Sequence, residues 1–210
     1  MDLIRTCMAV IFHPVDTFEF VIYTREKRKN YVQSIILLFL VVLTNILTIY
    51  ITHIPLAKVQ PRDANLIVEI SKRLVPIFTW TVACYGVTSI MDGETNINQT
   101  LVAAAYSMTP YILFSVPLAL FTNILSGNQI ALYNYLLTAI WIWVILLYFI
   151  SLQRLNDYSF AKAVGVSILA LVGMIIILAV IMLFFALTNQ LWSFIKDMQL
   201  EIKILWLDRM

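Results

Sequence analysis

Residues 95–153 read TNINQTLVAAAYSMTPYILFSVPLALFTNILSGNQIALYNYLLTAIWIWVILLYFISLQ, without one Asp, Glu, Lys or Arg. A second charge-free stretch runs from Ala163 to Ile195. A helix that crosses a hydrocarbon core of roughly 30 Å needs about 20 apolar residues. The first stretch therefore holds two crossings and the second holds one. With 61% hydrophobic residues and a mean hydropathy of +0.89, the chain carries more apolar surface than a water-soluble core can bury. The expected fold class is all-α, a polytopic membrane protein with five transmembrane helices and interfacial amphipathic helices at both ends.

Working outward from these stretches gives the rest of the organisation. The third span is Leu101 to Leu125, interrupted by Pro110 and Pro117, and the fourth is Ile130 to Leu152. Ser126, Gly127, Asn128 and Gln129 form the turn between them. Upstream, the first span is Ser34 to Thr52. A connecting segment from His53 to Arg73 holds Pro55, Pro61 and an amphipathic stretch from Asn65 to Ser71. The second span is Leu74 to Met91, closed by Asp92-Gly93. Downstream, Arg154 to Lys162 is a polar loop and Ala163 to Leu187 is the fifth span. One membrane domain, residues 34–187, thus lies between an N-terminal segment, 1–33, and a C-terminal one, 188–210.

Both flanking segments are amphipathic. Leu3, Ile4, Met8, Ile11 and Phe12 fall at helical spacing, and His13-Pro14 breaks the pattern. A second short helix then places Val15, Phe18, Val21 and Ile22 on one side. Such helices suit either the headgroup region or a face packed on the protein's own spans. In the tail, Leu191, Ile195, Met198, Ile202 and Leu205 step by four and three, with Lys196, Asp197, Gln199, Glu201 and Lys203 off that face.

Five spans put the termini on opposite sides. With the N-terminus inside, Arg5, Arg25, Lys27, Arg28, Lys29, Arg154 and Lys162 are interior. Lys58, Arg62, Lys72, Arg73, Lys196, Lys203 and Arg209 are exterior, so the two counts are equal. The cluster from Arg25 to Lys29, directly before the first span, tips the orientation to N-terminus cytoplasmic and C-terminus outside.

Composition excludes several classes of function. A net charge of +2, with no gathered basic patch, does not suggest nucleic acid. Cys7 and Cys84 belong at different depths, so neither a disulfide nor a redox pair is expected. His13 and His53 are isolated, no Gly-rich phosphate loop exists, and no catalytic, cofactor or metal site is expected. None of the five spans contains an ionisable residue, which disfavours proton-coupled transport.

What remains are candidates for structure or interaction. Tyr106, Ser107, Tyr111 and Asn123 are neutral polar groups of the third span, suited to interhelical hydrogen bonds or to a substrate path. Pro110 and Pro117 each remove a backbone donor and free a carbonyl that must be met inside the protein. A helix broken at mid-membrane can build a transport site, although no second span repeats the pattern. Asp92 and Asp157 fall in loops on one side of the membrane, as cation or basic-partner ligands or as turn and cap residues. Gly165 and Gly173, with Ala170, allow close helix approach on the fifth span, making it the first place to seek an interface.

Several segments together resemble a known family. Phe12-His13-Pro14 with Phe18, Met91-Asp92-Gly93, the run Ala105-Tyr106-Ser107-Met108-Thr109-Pro110-Tyr111 with Pro117, and Asn156-Asp157-Tyr158-Ser159 are similar to bacterial members of the Yip family. That family is named for eukaryotic membrane proteins that interact with Rab-type GTPases. The resemblance implies five spans with a cytoplasmic N-terminus. The short N-terminal region looks like the form found in Gram-positive bacteria, whose genes often lie near carbohydrate-uptake ABC transporter components. The expectation is a non-enzymatic accessory or scaffold subunit in the plasma membrane, associated with a membrane complex such as a carbohydrate ABC permease. The alternatives are a small solute transporter or channel built around the broken third span, and a membrane-shaping or trafficking protein.

Overall fold

A computed structural model describes residues 3–21, 27–52, 64–124 and 129–207. Parts of the expected basic cluster (Arg25), of the connecting segment (Pro55, Pro61) and of the turn (Ser126 to Asn128) lie outside the described residues. Every regular element among those described is helical: α1 Leu3–Phe12, α2 Pro14–Glu19, α3 Lys27–Ile51, α4 Leu66–Ile90, α5 Ile97–Ser107, α6 Thr109–Phe121, α7 Ile130–Leu155 and α8 Phe160–Leu207. The chain is an all-α membrane bundle.

Among the described residues, four stretches are long and apolar enough to cross a membrane: Asn30–Ile51, Ile97–Phe121, Ile130–Leu155 and Phe160–Gln199. The second of these joins α5 and α6. The expected second span is the greater part of α4, which stands apart because its first turns carry Glu69, Lys72 and Arg73. The amphipathic stretch from Asn65 to Ser71 is the cap and first turns of α4. The Asn65 side chain accepts from the Ile67 backbone N–H and caps α4, so the helix runs unbroken from there to Ile90.

Successive crossings, with α5 and α6 counted as one, run in alternating directions. At one end, the near end, Tyr158 after α7 donates to the Met91 carbonyl after α4. Glu19 of α2 lies 3.5 Å from Arg154 of α7, and Asn30 of α3 donates to the Val21 carbonyl. At the far end, Asn123 after α6 donates to the Ile51 carbonyl at 3.3 Å. The N-terminal helices thus attach to the near end and α8 leaves by the far end.

The core is built where α5 and α6 pass between α3 and α7. Residues 102–111 are all buried, and the small side chains Ala103, Ala104 and Ala105 let the neighbouring helices close on them. The N-terminal segment packs on this core. Val10 and Phe18 are 0% exposed and join the same cluster as Tyr106 and Leu147. Of the two settings open to the amphipathic start, packing on the protein's own helices accounts for this face. Ile4, Met8 and Phe12 point away from it and are exposed.

The tail differs from the expectation. Helix α8 continues for 48 residues without a break, so the fifth span and the C-terminal amphipathic segment belong to one helix. Nothing between 188 and 207 is Pro or Gly, and the residues there favour helix. Thr188, the natural cap for a new helix, instead donates back to the Phe184 carbonyl at 2.8 Å and stays in the ladder.

Candidate functional site

The third membrane element shows where a break can be sealed. Helix α5 ends at Ser107, Met108 takes φ −79° and ψ −1°, and α6 begins at Thr109. Pro110 stands in the first turn of α6, where its missing N–H would have no intrahelical partner in any case. Pro117 lies inside α6 without ending it, so the interruption belongs to Pro110 alone. Side chains serve the carbonyls near the junction. Thr109 Oγ1 donates to the Tyr106 carbonyl, and Ser107 Oγ donates to the Ala103 carbonyl at 2.8 Å. The Tyr106 hydroxyl reaches Gln33 of α3 at 2.7 Å. On the outside, Cys7 of α1 meets Thr109, and burial pushes its thiol above the ordinary range. Cys7 and Cys84 are both free and buried. Tyr106 and Ser107 are packing and bonding groups here, with residues 102–111 wholly enclosed.

Toward the far end, α3, α4, α6 and α7 converge on Asn45. Its Oδ1 accepts from Arg73 Nε at 2.8 Å and from the Tyr111 hydroxyl at 3.2 Å. Its Nδ2 donates to the Glu69 carbonyl at 3.3 Å. The Arg73 guanidinium lies 4.9 Å from the Tyr111 ring centroid and 5.2 Å from that of Trp141, within cation–π range of both. Glu69 is turned to Lys72, 2.6 Å away. Of these residues, Tyr111 was expected as a candidate, while Arg73, Trp141 and Glu69 were not. By charge alone Arg73 reads as the end of a connecting segment, whereas the cap at Asn65 places it on the helix.

At the near end, the loops after α4 and α7 interlock. Asn156 Oδ1 accepts from Thr95 Oγ1 at 2.9 Å, and Asn156 Nδ2 donates to the Leu152 carbonyl at 3.0 Å. The Tyr158 hydroxyl donates to the Met91 carbonyl at 3.1 Å. Burial, then the neighbouring Cys84 and Asp92, push its phenol above the usual range. Asp92 and Asp157 take φ of 55° and 48°, a left-handed conformation that short polar side chains tolerate. Both are exposed turn residues. Among the described residues, no group of three or more His, Cys, Asp or Glu could hold a metal ion.

The remaining candidates divide. Gly173 faces Ala83 of α4, where an added Cβ would sit 3.5 Å from the Ala83 Cβ, whereas Gly165 faces nothing within 4 Å. Ala163, Val166 and Ala170 are fully buried in the cluster that includes Cys84. The small residues at 170 and 173 thus serve the contact with α4 inside the chain. Asn123, exposed, ties the end of α6 to α3.

Compared with known families, residues 8–184 match the Yip1 domain. No curated protein and no solved structure matches the chain.

Proposed function

We propose that this chain, which belongs to the Yip1 domain family, is a non-enzymatic membrane scaffold that docks a second integral membrane protein along the far half of α8. The observation that carries this reading is the lack of cover on that helix. In its most apolar window 6% of the residues are buried within the chain, against 22% for α7. Exposure to lipid alone does not drive association, because acyl chains are as apolar as leucine. The length of α8 adds the driving force. Forty-eight residues extend about 72 Å, more than twice a hydrocarbon core. From Phe160 to Phe185 the helix already rises about 38 Å. Leu191, Trp192, Phe194, Ile195 and Met198, all exposed, continue the apolar surface past the reach of acyl chains. A partner's apolar groove would cover them.

The N-terminal end would face the cytoplasm, in line with the positive cluster before the first span, and the far end of α8 would stand outside. A carbohydrate-uptake ABC permease in a bacterial plasma membrane is the first partner to test, on the strength of the family resemblance. Against the transporter alternative stands the enclosure of residues 102–111 described above.

Photo-crosslinking in native membranes tests the docking. A benzophenone side chain at Leu191, Ile195 or Met198 is expected to yield an adduct with one integral membrane protein at constant ratio. The same probe at Ile145 on the exposed face of α7 should yield lipid adducts alone. Lipid adducts from all positions, or an adduct with a second copy of this chain, would overturn the reading.

A further inference from the structure

We propose that the pocket at the far end of the bundle, beside Asn45, binds a phosphate-type oxyanion with Arg73 as its cation. The pocket measures about 120 Å³, and its polar lining includes Asn45, Thr48, Arg73, Tyr111 and Ser115, with Glu69 as its one carboxylate. A water needs about 10–15 Å³ on this measure, so there is space for a tetrahedral anion.

Three observations converge on it. Arg73 is held rigidly, with Nε on Asn45 and its cation–π contacts to Tyr111 and Trp141, while its two terminal amino groups have no partner among the described residues. Such a planar fork matches two oxygens of a phosphate in parallel. Ser115 is 4% exposed, lines the pocket, and its hydroxyl has no hydrogen-bond partner among the described residues. A buried hydroxyl without a partner is costly, and an anion oxygen would accept from it. Finally, the carboxylate of Glu69 in the lining is engaged by Lys72 at 2.6 Å, and among the described residues it forms no ion pair with Arg73. A guanidinium enclosed by aromatic rings and without an ion-pair partner gains from an incoming anion.

Depth points to where the oxyanion comes from. Arg73 lies seven residues, about 11 Å, below the start of α4 at the far end, a distance that an arginine or a lipid headgroup can bridge. A lipid phosphodiester and free phosphate share the chemistry, and the experiment separates them.

Full-length protein in detergent is titrated with inorganic phosphate. In parallel, it is placed in nanodiscs of phosphatidylcholine with or without phosphatidylglycerol. The unfolding temperature is read in every case. A saturable rise with phosphate assigns the free ion, and a rise in phosphatidylglycerol discs alone assigns the headgroup. Arg73→Lys, which keeps the charge and loses the fork, should weaken either response at least tenfold. Ser115→Ala, a small change that leaves the fold intact, should weaken it about threefold. Overturning results are no saturable response in either arm, an equal response to chloride, or a response unchanged in both variants.

Discussion

Gly93→Val lowers the stability of the folded bundle by about 3 kcal/mol or more, and Gly93→Ala by about 2 kcal/mol. At Gly93 a Cβ would sit 2.6 Å from Asn156 Oδ1, 2.7 Å from the Tyr158 hydroxyl and 2.8 Å from Thr88 Cβ. The first two atoms end side chains, but neither is free to swing aside. Asn156 is pinned by Thr95 and by the Leu152 carbonyl, and Tyr158 by the Met91 carbonyl. Thr88 Cβ is fixed by its own helix. Relief of the clash therefore breaks at least one hydrogen bond, worth about 1 kcal/mol, or pries the two loops apart. Steric trapping of the unfolded state, or thermal unfolding in detergent, measures the effect. The double variant with Tyr158→Phe should recover part of the loss, because the shorter ring end makes room.

Asn45→Leu is the second large effect, about 2–4 kcal/mol. The substitution removes one acceptor that serves two donors, Arg73 Nε and the Tyr111 hydroxyl, and one donor that serves the Glu69 carbonyl. Leucine also leaves the Arg73 charge enclosed by Tyr111 and Trp141 without its amide partner. By contrast, Asn45→Asp keeps acceptor oxygens for both donors and should cost about 1 kcal/mol or less. If leucine and aspartate destabilise equally, the loss comes from volume or insertion and not from this cluster. The same unfolding assay distinguishes the two.

How much of this was legible in the sequence depends on the kind of signal each feature leaves. Freedom from charge over residues 95–153 and 163–195 sufficed for the membrane class, because burying ionised groups in lipid is costly. The break at Met108 was legible through Pro110, whose missing donor is a local fact of chemistry. Pro117 shows the limit of that reasoning, since it lies within α6 and leaves the helix whole. Whether a proline ends a helix is decided by the neighbours that serve the freed carbonyl. Arg73 was missed because charge was used to mark the end of a span, whereas here it enters the bundle with partners from two other helices. The continuity of α8 was within reach, as residues 188–207 contain no breaker. The four-and-three apolar spacing suggested a surface helix, but that spacing is equally compatible with a straight extension. The interlock of the loops at Gly93 and Asn156 followed in outline from the alternating course of the helices. Its hydrogen bonds did not, because they depend on two residues in left-handed conformation, Asp92 and Asp157.

The central claim is that the bundle is a scaffold and holds no conduit. Its most direct test is transport by the full-length protein reconstituted alone in sealed liposomes, assayed with sugars, ions and amino acids. We expect no saturable flux above that of protein-free vesicles for any of them. A substrate-specific, saturable flux that is abolished by Tyr106→Phe, Ser107→Ala or Asn123→Leu would contradict the account and put a transport path through the broken third helix.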